Sequence, residues 1–137
     1  MTAYLDTSVV VPLFLDDDHS PKARAWANAG RHVALSAWTV TEFSSALSHQ
    51  VRMDRITASE RVGLERVFDG WVGKGRMIDF KADRFNEARR LLQRHARLRA
   101  PDALHLAIAR HEGLPLATLD DDMREAAVFE GMEVIEL

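Results

Sequence analysis

Residues 99–109, RAPDALHLAIA, are small or apolar except at the first arginine, Asp102 and His105. A carboxylate near the head of such a run needs a partner, because a buried charge left alone is costly. Asp6 directly follows the short stretch TAYL, and Asp120 follows PLATL and opens the cluster Asp120, Asp121, Asp122. Glu42, in WTVTEFSSAL, has small helical neighbours in Ser45 and Ala46 that would let another segment approach. Carboxylates brought together repel: a pair about 5 Å apart costs roughly 3 kcal/mol at an effective dielectric near 20. Relief comes from proton uptake or from a hard divalent cation that accepts oxygen ligands. Metal-assisted chemistry is therefore what these acids could do, provided the fold carries them to one point.

The elements that would position them alternate along the chain. TAYLD reads as a strand, and VVVPLFL as a helix that Pro12 permits only near its beginning. SPKARAWANAG predicts a second helix, with Pro21 in its first turn and Gly30 as its stop. HVALS is the next strand, followed by a helix over residues 39–51 with Val40, Phe43, Leu47 and Val51 on one stripe. A helix over 59–71, a strand at RMIDF and a helix over 83–97 come next, the last with Phe85, Ala88 and Leu92 inward. The apolar helix over 101–111 leads through Gly113 to a strand at PLAT, a short helix over 122–130 and a closing EVIEL. This alternation predicts a three-layer α/β/α fold, with a central, mostly parallel sheet and helices on both faces. A single domain is expected over residues 2–136. The carboxyl ends of parallel strands share one edge, where sites form, and Asp6 and Asp120 should both stand there.

Each acid also has an ordinary role open to it. Asp6 could cap a helix, although Ser8 could do so as well. Asp122, with Glu125 three residues on, resembles a capping box, which leaves Asp120 and Asp121 over. Asp102 suits the positive end of a helix, but lies on helical spacing above Leu106 and Ala109 and so points inward. His105, three residues on, could partner Asp102, but a lone histidine on a packed helix is more often a satisfied structural residue than a ligand. Glu42 lies off the Val40, Phe43, Leu47 stripe, and periodicity alone makes it a solvated glutamate.

Composition narrows the field. The 137 residues are 47% hydrophobic and 28% charged with a formal charge of -3, a poor balance for coating nucleic acid through broad phosphate contacts. Charge is nonetheless segregated. Seven basic residues oppose two acidic ones between Lys81 and Arg99, while seven acidic residues oppose Arg124 alone from Asp120 onward. Arg90, Arg94 and Arg97 share a predicted helix face, where they either meet solvent or grip a phosphate backbone. The absence of cysteine excludes disulfides and thiolate zinc sites. The amino-terminal segment has neither a basic start nor the apolar length of a signal peptide or membrane span, so a cytoplasmic protein is expected. Neither GxxxxGK[ST] nor GxGxxG occurs, which excludes the common nucleotide-binding loops. The paired acids and late lysine of phosphoacceptor domains, and the Asp-x-Asp-x-Thr of haloacid-dehalogenase-like phosphatases, are also missing.

Taken together and in order, YLDTSVVVPLF, WTVTEFSSAL, APDALHLAIA and LATLDDDMREAA resemble the PIN domain family, and within it the compact toxins of VapBC toxin–antitoxin pairs. The resemblance implies a catalytic quartet at Asp6, Glu42, Asp102 and Asp120, with Thr7, Ser8 and Thr118 in support. It implies hydrolysis of RNA phosphodiester bonds with Mg2+, or Mn2+ as a substitute, held by Asp6, Asp102 and Asp120. Glu42 would then hold a water of the ion's shell or act as general base. Aromatic residues are only 7% of the chain, so recognition would rest on the shape of a structured RNA more than on base stacking. The resemblance further implies a homodimer and a cognate antitoxin whose segment lies in an apolar groove. Trp26, Trp38 and Trp71 could line that groove or the dimer contact, or belong to the core. A non-catalytic PIN module that binds RNA or protein, and a solitary RNA-processing nuclease, are the alternatives.

Overall fold

The computed structural model describes residues 1–137. Its elements run β1 (Thr2–Leu5), α1 (Thr7–Phe14), α2 (Ser20–Asn28), β2 (His32–Ser36), α3 (Ala37–Arg52), α4 (Ala58–Val72), β3 (Arg76–Ile78), α5 (Asp83–Arg94), α6 (Ala100–His111), β4 (Leu116–Ala117) and α7 (Asp121–Phe129). All strand pairings are parallel, in the order β3-β2-β1-β4. The chain steps from β1 outward to β3, then returns to place β4 on the other side of β1. Strand order therefore reverses between β1 and β4, and a crevice at the carboxyl ends of these two strands is where an open parallel sheet accepts ligands.

Alternation along the strands sorts the core into two clusters, one on each face. Ala3, Leu5, Leu35 and Ala117 pack toward Val9, Val10, Ala23, Trp26, Phe43, Leu47 and Phe68 of α1–α4. Tyr4, Ala34, Ile78 and Leu116 pack toward the other layer, where α6 contributes every residue from Ala103 to Ala109 except His105, joined by Ala88 and Leu91 of α5 and Met123 and Ala126 of α7. The three layers expected from the sequence are present. Trp26 belongs to the core and Trp71 joins an aromatic group with Phe14 and Phe68, while the Trp38 indole donates to the Pro101 carbonyl at 3.2 Å and ties α3 to the start of α6.

Several expectations need correction. Pro12 lies inside α1, past its first turn. The helix ends two residues later, so the missing N–H removes a single bond from a short element. No helix extends to residue 97: His95 is extended (φ -126, ψ 94) and closes α5, so Arg97 is not on the face of Arg90 and Arg94. Phe85 points to solvent, whereas Ala88 and Leu91 are buried toward α6 and Leu92 packs against the same cluster. EVIEL contributes one parallel bridge, Val134 to Leu116, and no full strand. No helix is long and apolar enough to cross a membrane.

Candidate active site

Asp6 stands where β1 becomes α1. It has the extended backbone of an N-cap (φ -79, ψ 172), yet its side chain makes no capping bond. It turns inward instead, 2% exposed, where Ser8 Oγ donates to Oδ1 at 2.6 Å and Thr118 Oγ1 donates to Oδ2 at 2.7 Å. Burial pushes its pKa above the ordinary carboxylate value; the two hydroxyls and the His105 charge oppose this, and the charge of Asp102 adds to it. The same hydroxyls serve the far segment, since the Leu119 N–H donates to Ser8 Oγ (2.8 Å) and the Asp120 N–H to Thr118 Oγ1 (3.0 Å). The end of β4 is thus fastened to the start of α1.

Asp120 is the residue that caps α7. Its Oδ1 accepts from the Met123 N–H at 2.9 Å. This corrects the sequence reading, which gave the cap to Asp122 with Glu125. The helix starts one residue earlier than periodicity suggested, and the capping oxygen comes from the acid already held by Thr118. Asp120 Oδ2 remains directed at the crevice, 3.7 Å from an Arg99 nitrogen. Asp121 is solvent-facing and pairs with Arg124, while Asp122 approaches Arg97 at 3.9 Å.

Asp102 lies in the first turn of α6 with its side chain 16% exposed, and Arg99 Nε is 3.4 Å from its Oδ2. Burial raises its pKa first and the charge of Asp120 second, while Arg99 and His105 pull it down and Glu42 pushes it up. Those electrostatic couplings report one shared field around Asp6, Glu42, Asp102 and Asp120. The exposed Arg99 guanidinium is the counter-cation between two of its members.

Glu42 is drawn into the site from the edge of α3. Thr7 Oγ1 donates to its Oε1 at 2.7 Å, and His105 Nε2 contacts the same oxygen. Burial alone would raise the Glu42 pKa, but the His105 hydrogen bond and charge, then Thr7 and Arg99, outweigh it and hold the carboxyl below its usual value. The other imidazole nitrogen, Nδ1, lies 2.8 Å from the Tyr4 hydroxyl, itself 2.9 Å from Ser36 Oγ. Burial pushes the Tyr4 pKa up to about 12, so the phenol keeps its proton.

Sequence reasoning gave His105 a structural reading and passed over Arg99, Tyr4 and Ser36. Arg99 carried a signal, since it precedes Asp102 by three residues at the N-cap position of α6. Tyr4 did too: it is the one tyrosine of the chain, set in a buried strand where a phenol needs a partner. Of the three arginines considered for a phosphate backbone, Arg94 binds Glu130, whose side chain is 8% exposed, together with His95. Arg90 lines a polar cleft of about 300 Å³ with Glu87, Arg94, Arg110 and His111.

No three acidic or histidine side chains are grouped so as to hold a metal ion among them. The arrangement is an open, oxygen-only donor set in which Asp6 and Asp102 resist ionisation and an exposed cation, Arg99, already leans on two members. That fits a magnesium-like ion, which takes one or two protein carboxylates and fills the rest of its shell with water and phosphate.

A family model described as PIN domain matches residues 3–128. No curated protein is significantly similar to the chain in sequence. Among solved structures, VapC20 of Mycobacterium tuberculosis, described as a sarcin-ricin loop cleaving toxin, is similar with a TM-score of 0.71 at 23% identity over 92% of this chain and 95% of that one. FitAcB of Neisseria gonorrhoeae gives 0.71 at 21% identity, over 99% and 97%. VapBC2 of Rickettsia felis, bound to a DNA fragment from their promoter, gives 0.70 at 16% identity, over 98% of each chain. At these identities the likeness is one of fold.

Proposed function

Because this chain belongs to the PIN domain family, we propose that it is a metal-dependent endoribonuclease and the toxin of a VapBC-type toxin–antitoxin pair. One observation supports the reading: Thr118 is shared by Asp6 and Asp120, Arg99 is shared by Asp102 and Asp120, and Glu42 is bonded to Thr7, the residue after Asp6. A structural role would not need four acids there, since one cap and one ion pair satisfy the helix ends.

Asp6, Asp102 and Asp120 would hold Mg2+ or Mn2+. When bound, the ion offsets charge that builds on the phosphate and lowers the pKa of water. Ser8 and Thr118 keep Asp6 in one orientation and leave it lone pairs on both oxygens. Glu42, charged at neutral pH and partly open to solvent, takes the proton from the attacking water. Arg99, exposed at the rim, would turn from the carboxylates to the incoming phosphate and so help to seat the RNA. A groove of about 660 Å³ between α1, α3 and α4, half lined by Phe14, Leu15, Ile56, Leu64 and Val67 and otherwise by Gly63 and polar residues such as Arg55 and Glu60, suits an antitoxin segment. The exposed Val128 and Phe129 of α7 suit a contact with a second copy in a cytoplasmic homodimer.

The test is cleavage of a total RNA pool by the wild type, Asp6→Asn and Asp102→Asn in Mg2+, Mn2+ or EDTA. The reading expects cutting by the wild type with metal only, and by neither variant. Equal cutting by wild type and variants, or none by the wild type with either metal, would sink it.

A further inference from the structure

A polar chain crosses the otherwise apolar layer under α6. Ser36 and Tyr4 are fully buried and His105 is 1% exposed, so each polar atom among them must be matched within the protein. Tyr4 alone would satisfy one imidazole nitrogen. The other leaves the core to meet a carboxylate 63 positions away in sequence, on a different helix and at the rim of the acid site.

The proton positions in this chain follow from donor chemistry. An ionised Glu42 only accepts, so His105 Nε2 carries the hydrogen between them. At Nδ1 the partner is the Tyr4 hydroxyl, which also meets Ser36 Oγ, so both imidazole nitrogens are matched. Thr7 and His105 both land on Oε1 and neither touches Oε2, so the carboxylate is fixed through one oxygen and the other is left for water.

We propose that His105 is a positioning residue, which holds the Glu42 carboxylate in one orientation at the acid site while Tyr4 holds the other imidazole nitrogen. This rests on reading Glu42 as the group that takes the proton from water. An imidazole clamped on both nitrogens cannot rotate, and a carboxylate held through one oxygen presents the other at a constant angle. Misplacing a base by about 1 Å costs on the order of 100-fold in rate, whereas the affinity for RNA and ion depends on other side chains.

The experiment compares the full chain with His105→Leu, His105→Gln and Tyr4→Phe, using total RNA with Mn2+ for initial rates and calorimetry for Mn2+ binding. Leucine fills the space without polar atoms, while glutamine keeps one donor and one acceptor. Apparent kcat should fall about 50-fold in H105L, recover to within about fivefold of wild type in H105Q, and fall about fivefold in Y4F. KM and Mn2+ affinity should stay within twofold throughout. A folded H105L at the wild-type rate overturns the inference, as does an H105Q no faster than H105L. If H105L does not fold, Y4F decides: a lower kcat at unchanged KM supports the inference, and a wild-type kcat overturns it. An Asp6→Asn control separates the two readings, since it should lose both turnover and Mn2+ binding whatever His105 does.

Discussion

Thr118 Oγ1 donates to Asp6 Oδ2 across 2.7 Å, joining residues 112 positions apart at the point where strand order reverses. That oxygen also accepts the Asp120 N–H, so one hydroxyl serves two of the acids.

Thr118→Val keeps the shape and removes both bonds. It leaves a buried carboxylate oxygen and a backbone N–H unmatched, at about 1–3 kcal/mol for such a loss. A fall in Tm of about 5–10 °C is expected, together with a loss of RNA cutting of at least tenfold. Thermal melts and cleavage rates on the same preparation check it, and a melt unchanged from wild type would contradict the network described above.

Asp102 should destabilise the metal-free protein at neutral pH. Its pKa is raised above the ordinary carboxylate value, by burial first and Asp120 second. The sign follows: its favourable contribution is complete below the unfolded value and is lost as pH rises through the folded one. Asp102→Asn in EDTA should therefore melt higher than wild type at pH 7, and the gap should close toward pH 4. Added Mn2+ should raise the wild-type Tm and leave the variant where it was.

Glu42 behaves in the opposite sense. Burial raises its pKa, but His105, Thr7 and Arg99 together hold it below 4.5. Its contribution is present above that value and fades as pH falls through the lower, folded one. Glu42→Gln should lower Tm at pH 7 and converge on wild type in acid, a pattern that circular dichroism melts across pH would reveal.

Arg99 lies against Asp102 and Asp120 and would compete with a cation bound there. It is 76% exposed, so solvent screening keeps the effect small. Arg99→Gln should tighten Mn2+ binding about threefold while weakening RNA cleavage, because the same guanidinium would meet the phosphate. Calorimetry and KM for RNA measure the two halves independently, and a variant that binds Mn2+ less tightly would contradict the competition.

Arg94 and Arg90, alike in sequence, should answer differently. Arg94→Ala strands the nearly buried Glu130 and should cost about 1–3 kcal/mol of stability. Arg90→Ala, which breaks no ion pair, should leave Tm within about 1 °C. If the polar cleft of Arg90 and Arg110 touches RNA, this variant raises KM and lessens its salt dependence.

Local pattern sufficed for much of the architecture, because strands and helices here differ in period and Gly30 and Gly113, both at positive φ, mark real stops. What it missed is what distant segments decide. Glu42 looked solvated because periodicity describes only its own helix, and its partners arrive from α1 and α6. The cap of α7 was misassigned for the same reason: Asp120 and Asp122 are both acceptable caps, and Thr118 selects the first by holding its N–H. Residues 95–97 read as helical, yet His95 is drawn out of that geometry where it meets Glu130 after α7. Asp6 and Asp102 were legible because a carboxylate amid apolar residues is conspicuous at any distance.

Placing β1 between β2 and β4 also has a temporal side. The strand made first is flanked on one side by the strand made last, so a chain still on the ribosome holds Asp6, Glu42 and Asp102 without the segment that clasps the first of them. A crevice built this way is not complete until β4 has been synthesised and has paired beside β1.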